Sequence, residues 1–469
     1  MTQSPTLIIQ LQRMGDLILS FHLCKRLLML EPNHPLWVLA EPHFFKELIT
    51  VAPQVVFFDH SMIPNLKLRN YRRVINLSHR DIAAQLTGVL TTEEKIGIFN
   101  QEDFLYIAGD WRLYRSSIVN NNRHNLFHWS DLEALGLIPE QSFKEVIWPP
   151  LRNIGSSGHI GLFVGASEAG KRPNAQFWGL LARYLIRHNL YPIFLGGPND
   201  RSLAQECIDI AQLNSSNNFA GKFNLSELVL FSQKLDLFVT PDTGPMHLAA
   251  WTGTPVLNLS MGNVNPWETA PASPGHIVVR PAMSCVGCWN CEGRDFSCRS
   301  LFTPGKIGRL IVHLIENSSL EKSIFSGLHI YKTSRDERGL FTLVPLLPNI
   351  EHQRHLLGLF WKEWFIAMLG GMSDKLIPVS KLFFENAPHM CNPMQKTLLS
   401  LSKNVAKVLK KGSDIVPSKY WFSVMPALRP ATGYIDLLLQ NNKFSNKAWK
   451  KTGTLLSSLI ETFSFASQC

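Results

Sequence analysis

One stretch constrains the fold of this chain more than any other: Val239-Thr240-Pro241-Asp242-Thr243-Gly244-Pro245-Met246-His247-Leu248-Ala249-Ala250. An apolar run from Leu235 to Thr240 reads as a buried strand that stops at Pro241. A helix is predicted to begin near Pro245, because proline lacks only an N–H that has no partner in the first helical turn. Asp242, Thr243 and Gly244 then occupy the turn in front of the helix N-terminus. Free N–H groups and the positive end of the helix dipole make such a turn an anion site. Gly244 admits a ligand close to the backbone, Thr243 adds a hydroxyl, and His247 faces the same mouth one turn in. A second strand, Pro255 to Leu259, follows. The alternative reading is a plain connecting turn with a core histidine, and the rest of the chain has to decide between them.

The same rhythm occurs twice. Thr6 to Leu11 is a strand, Gln12-Arg13-Met14-Gly15-Asp16 a tight turn, and Leu17 to Leu30 an amphipathic helix. Asp16 thus lies at a strand's carboxyl end and a helix N-terminus, where either a functional carboxylate or a capping aspartate would sit. Strands at Leu36–Ala40, Val55–Asp59 and Val74–Leu77 continue the alternation. A Pro/Gly/Ser-rich stretch from Ile147 to Gly158 reads as a linker, after which the alternation restarts. His159 to Val164 is a strand, Gly165 to Arg172 a small-residue loop, and Asn174 to His188 a helix. Ser167 and Lys171 in that loop can hold a diphosphate. It is not a Walker A loop, because Arg172 stands where the magnesium-binding Ser/Thr belongs. Tyr191 to Leu195 is the next strand and ends in Gly196-Gly197-Pro198-Asn199-Asp200; Asp200 there reads as an acceptor for ribose hydroxyls or as a helix cap.

Length and charge complete the outline. At ~150 residues per domain, 469 residues predict two to three domains. Residues 331–469 hold 18 Lys/Arg against 9 Asp/Glu, so about +9 of the formal +10 lies there. Lys403, Lys407, Lys410 and Lys411 fall at helical spacing opposite Leu398, Leu401, Val405 and Val408, which predicts a basic amphipathic helix suited to an acidic surface or simply to water. The first residues lack a charged-then-apolar leader and no 18-residue span is both uncharged and continuously apolar, so the expected location is cytoplasmic, at most peripheral to the inner face of the membrane. Four of the eight cysteines cluster as Cys285, Cys288, Cys291 and Cys298. In that compartment the cluster points to a structural zinc or iron–sulfur site, to redox pairing, or to uncommitted thiols.

Four motifs in order resemble glycosyltransferase family nine, whose members include the ADP-heptose:lipopolysaccharide heptosyltransferases. They are Arg13-Met14-Gly15-Asp16, Gly165-Ala166-Ser167 with Lys171, Gly196-Gly197-Pro198-Asn199-Asp200, and Asp242 through Ala250; Gly253-Thr254-Pro255-Val256 and Asn265-Pro266-Trp267 follow suit. The resemblance covers residues 1 to about 320. It implies an α/β chain of GT-B type: facing Rossmann-like domains at 1–150 (acceptor) and 158–322 (nucleotide sugar), followed by a basic, mainly helical extension at 325–469. It implies inverting sugar transfer without a required cofactor. Asp16 would be the general base, and Lys171 would offset charge on the leaving group. Gly15, Ser167, Asp200, Asp242, Thr243, Gly244 and His247 would bind the donor. The partners would be a nucleoside-diphosphate sugar and a lipopolysaccharide-core or similar surface-glycan acceptor, with contact to anionic lipid and no nucleic acid. With no D-x-D in the first 330 residues, cationic charge at the phosphates is expected from Lys171 and helix termini. Arg172-Pro173 and Ser260-Met261-Gly262 depart from the family pattern and leave the donor's sugar and base unnamed. Two readings stay beside this one: an epimerase or hydrolase of nucleotide sugars, and a non-catalytic glycan- or metal-binding adaptor that retains the fold.

Overall fold

A computed structural model of the chain describes residues 3–146, 148–155, 157–283, 298–348, 353–371, 373–411 and 416–467. It divides into two compact units, each discontinuous in sequence. The first comprises Met1–Leu66, His128–Asp131 and Gln141–Asn349; the second comprises Lys67–Phe127, Leu132–Glu140 and Ile350–Cys469.

The first unit opens with β1 (Thr6–Gln10), β2 (Leu36–Ala40) and β3 (Val56–Phe58), paired in parallel with Thr6 opposite Leu36 and Trp37 opposite Val56. All five residues of β1 are buried, as a strand covered on both faces requires. The helix Met14–Leu30 follows β1. Arg13 holds the extended N-cap position, and the Asp16 carboxylate, three residues on, accepts the Arg13 backbone N–H at 3.2 Å. Asp16 is therefore a first-turn residue of that helix, placed against the positive end of its dipole.

Five further parallel strands of this unit are β7 (His159–Phe163), β8 (Tyr191–Leu195), β9 (Leu237–Pro241), β10 (Val256–Leu259) and β11 (Ile277–Pro281). In space they run β11-β10-β9-β7-β8. From β7 the chain first turns to β8 on one side and then crosses to β9 on the other. The direction of winding thus reverses between β7 and β9, the place outside the carboxyl strand ends where open α/β sheets bind ligands. The predicted strands at 159–164, 191–195, 235–240 and 255–259 all form, within two residues of their expected ends. The chain after residue 325 is a different matter. β12 (Leu328–Arg335) and β13 (Phe341–Pro345) make an antiparallel hairpin that joins the sheet through β11, so the helical part starts only at Gln353. Pairing along Ile277–Pro281 of β11 on one side and with β13 on the other holds β12 as a strand.

Three distant segments of the first unit are tied by a buried charge. Asp131 is 1% exposed and accepts from Arg335 Nη1 at 2.7 Å, Arg26 Nη2 at 3.5 Å and the Phe341 N–H at 2.6 Å. Burial alone would raise its pKa; Arg335, Arg26, His128 and the Phe341 bond together outweigh that and hold it below the usual carboxylate value. Both guanidiniums also lie over the Trp148 ring.

The second unit contains β4 (Asn70–Asn76), parallel to β5 (Thr91–Gln101), and β6 (Phe104–Ala108), which returns antiparallel through Glu102 and Asp103 at φ 48° and 60°. Two positive-φ residues are what a tight hairpin demands. Its helices Gln353–Phe365, Leu376–Asn386, Pro388–Lys411, Arg429–Asn441 and Asn446–Ser467 enclose an aromatic core. Trp361, Trp364 and Phe365 are at most 1% exposed, so they build this core. The Asn441 amide accepts from the Ile107 N–H at 2.8 Å and donates to its carbonyl at 2.9 Å, closing the exposed edge of β6. Among the described residues no helix is long and apolar enough to cross a membrane.

Candidate functional site

β9 ends at Pro241, and the helix Gly244–Trp251 starts three residues later. Thr243 is its extended N-cap, yet the Thr243 side chain makes no capping bond, and its Oγ1 is buried without a partner. Nδ1 of His247, in the first turn, is likewise buried and unpartnered. Burial, helped by His128, lowers the His247 pKa to about 3, so the ring is a neutral hydrogen-bonding group at physiological pH and not a cation. Two orphan polar atoms at a helix start are the mark of a place that a polar ligand completes.

Asp242 sits at the centre of the turn. Burial raises its pKa to about 6, against the Lys171 charge and the Thr269 hydroxyl nearby, which lower it; the Asp16 carboxylate raises it further. Lys171 and Asp16 thus act on one carboxylate, and the start of the helix Met14–Leu30 lies directly against this turn. A Cβ placed on Gly15 would come 3.1 Å from His247 Cδ2 and 3.6 Å from the Gly244 Cα. One placed on Gly244 would overlap the Met14 side chain. Glycine on both sides lets two helix N-termini approach backbone to backbone.

The loop after β7 carries the rest. Ser167 is exposed, and the Lys171 ammonium pairs with Glu168 at 3.1 Å. Asp200 is more constrained than its motif suggested. Its Oδ2 accepts the Gly197 N–H at 2.9 Å, and its Oδ1 accepts Arg172 Nη1 at 3.0 Å. Gly15, Asp16, Lys171, Asp242, Gly244 and His247 are thereby brought together. His128 is a neighbour that sequence reasoning missed: it is fully buried, its Nε2 lies 2.8 Å from the Ala270 carbonyl and its Nδ1 2.7 Å from Ser130 Oγ. No local pattern marks it. Thr269, four residues beyond the Asn265 noted in the sequence, was equally silent.

Residues 60–293 match the profile of glycosyltransferase family 9 (heptosyltransferase), about half of the 469 residues. The chain belongs to glycosyltransferase family 9. Over 107 residues it is 36% identical to the lipopolysaccharide core heptosyltransferase OpsX of Haemophilus influenzae, covering 23% of this chain and 30% of that one. Over 126 residues it is 29% identical to lipopolysaccharide heptosyltransferase 1 of Campylobacter coli, covering 26% and 36%. The chain thus aligns with about a third of the length of these curated relatives. In structure it is similar to ADP-heptose lipopolysaccharide heptosyltransferase II of E. coli, with a TM-score of 0.50 and 20% identity over 67% of this chain and 99% of that one. A family 9 glycosyl transferase of Veillonella parvula gives 0.51 at 18% identity, covering 67% and 98%. These likenesses establish the GT-B fold expected from the motifs.

The family 9 match includes the loops bearing Ser167, Lys171, Asp200 and Asp242 to His247. It begins after Asp16, whose place in the site rests on geometry. Cys285, Cys288 and Cys291 lie outside the described residues; Cys298 is a partly buried free thiol. Among the described residues no three His, Cys, Asp or Glu side chains are grouped to hold a metal ion.

Proposed function

We propose that this family 9 chain transfers a heptose-like sugar, with inversion and without a catalytic metal, from a nucleoside-diphosphate donor to a lipopolysaccharide-core or related surface-glycan acceptor. The observation that carries this reading is the convergence of Lys171 and Asp16 on Asp242 at two abutting helix N-termini. In the reaction an acceptor hydroxyl oxygen attacks the anomeric carbon as the bond to the diphosphate oxygen breaks. Asp16 takes the hydroxyl proton. Lys171, Ser167 and the N–H groups in front of the helix Gly244–Trp251 meet the charge growing on the diphosphate. Thr243 Oγ1 and His247 Nδ1 supply the hydrogen bonds that orient the sugar, and Gly15 and Gly244 leave room for it. In this reading residues 1–150 serve the acceptor and 158–322 the donor.

The test is calorimetric titration of ADP, UDP and GDP into the protein without added metal, on preparations also assayed for zinc and iron. One nucleotide should bind selectively. Lys171→Ala should weaken it roughly 10–100-fold, the loss of one charge-assisted hydrogen bond of about 1.5–3 kcal/mol. Absence of binding by all three would overturn the donor site.

We also propose that the chain works at the inner face of the cytoplasmic membrane, held there by the helix Pro388–Lys411. Leu398, Leu401 and Val405 of that helix are buried, whereas Lys396, Lys403, Lys407 and Lys410 are exposed along one stripe. None of these four lysines has an ion-pair partner among the described residues, and the helix contains no acidic residue. Each lysine near an anionic surface contributes about 1 kcal/mol. Changing Lys403, Lys407 and Lys410 to Gln should therefore lower the affinity for phosphatidylglycerol vesicles by roughly 100-fold in a sedimentation assay. Unchanged binding would remove this helix from the contact.

A further inference from the structure

The two residues Lys171 and Arg172 are neighbours in sequence but serve different strands. Lys171 ends a short 3-10 turn, Ala169–Lys171, and its charge is felt at Asp242, beyond β9. Arg172 precedes Pro173, which confines it to extended backbone, observed at φ −129° and ψ 152°. Its guanidinium reaches the opposite way, to Asp200 beyond β8. Asp200 in turn holds the Gly197 N–H with its other oxygen. The same carboxylate rests on the backbone at the end of β7 so closely that a methyl group at Gly165 would overlap it. Both oxygens are thus spent within the protein, and one side chain links three backbone segments: the end of β7, the loop carrying Lys171, and the Gly-Gly turn after β8.

We propose that Asp200 is a positioning residue: with Arg172 and Gly165 it forms a brace that fixes the loop and so aims Lys171 at the donor's diphosphate, instead of contacting the nucleoside. This rests on the donor-site reading given above. It also accounts for two features of the sequence. Arg172 stands where a Walker A loop would place a metal-binding hydroxyl because here the position anchors the loop from behind. Gly165 is small because the carboxylate needs the space. The pair is only partly exposed, 26% at Arg172 and 17% at Asp200, so its geometry is not averaged away by water as a surface pair would be.

The experiment compares ADP with inorganic pyrophosphate, a probe that has the phosphates and lacks the nucleoside. Both are titrated calorimetrically into the full chain and into Asp200→Asn, Arg172→Gln, Arg172→Lys and Gly165→Ala. A brace acts on the phosphates, so Asp200→Asn and Gly165→Ala should each weaken ADP and pyrophosphate by the same factor, about tenfold. Arg172→Gln should match Asp200→Asn, the double variant should be no worse than either single one, and Arg172→Lys should recover part of the loss. Loss of ADP affinity with pyrophosphate unchanged in Asp200→Asn would overturn the proposal and return Asp200 to the nucleoside. Thermal unfolding of the same variants without nucleotide reads the brace independently of any ligand. Non-additive destabilisation of Asp200→Asn and Arg172→Gln is the expected result, and additivity would sink the brace even if the donor site binds as proposed. Failure of the wild type to bind either probe, with non-additive melting preserved, would count against the donor reading and leave the brace standing.

Discussion

Asp16→Asn is expected to reduce the transfer rate by roughly 10²- to 10⁴-fold, the usual contribution of a general base, while ADP affinity stays within about twofold. The separation of the two effects follows from position. Asp16 belongs to the helix Met14–Leu30, where its carboxylate accepts the Arg13 N–H. Asparagine keeps an oxygen for that N–H, so the helix start survives and only basicity is lost. Steady-state kinetics with saturating donor, alongside ADP titration, separates the two quantities. Equal losses in both would show that Asp16 holds the donor instead of taking the acceptor's proton.

Asp242→Asn is expected to do the opposite to stability and the same to activity. The folded protein holds the Asp242 pKa at about 6, against 3.8 for a free carboxyl, chiefly through burial. At 1.36 kcal/mol per pKa unit, keeping this group ionised at pH 7 costs about 3 kcal/mol. The sign is fixed by linkage. Below 3.8 the group is protonated in both states and the cost vanishes. Between 3.8 and 6 the unfolded chain gives up the proton and the folded chain keeps it, so stability falls as pH rises through that window and levels off above it. Asparagine, which never ionises, should therefore raise the melting temperature at pH 7 by several degrees. The gain should shrink steadily between pH 6 and pH 4. Transfer activity should fall, because the Asp242 carboxylate interacts with the charges of both Lys171 and Asp16. A variant less stable than wild type at pH 7 would mean that the ionised carboxylate is held by bonds stronger than its burial cost.

What the sequence made legible is what local pattern records. The strand at 6–10 is continuously apolar because it is buried on both faces, and the helix after Thr243 is announced by Gly244-Pro245. Those signals placed Asp16, Lys171 and Asp242 at strand ends, and the order of the motifs named the family. Other features depend on partners far away in the chain. The Asp200 carboxylate looked free to meet a ribose because nothing near it names Arg172, 28 residues earlier, as its partner. The hairpin from Leu328 to Pro345 falls within the stretch expected to be a helical extension; what stabilises its strands is the edge of β11, about 50 residues away in the chain. His128 has no motif at all. It lies near His247 only because His128–Asp131 is folded into the first unit while the residues on either side belong to the second.

That excursion has a consequence for how the protein is made. Asp131 closes on Arg26 behind it and on Arg335 and Phe341 ahead of it. A ribosome reaches residue 341 about 210 residues after Asp131, which at 5–20 residues per second is roughly 10–40 s. For that interval Asp131 and Arg26 have both been synthesised, but Arg335 and the Phe341 N–H that complete the carboxylate's set of partners have not. Local helices can form in the meantime, whereas the first unit can only be completed late, by joining its beginning to its end. Truncated products that end before Arg335 would carry the residues of the site at Asp16 and Asp242 without the charge pairs that join the beginning of the first unit to its end.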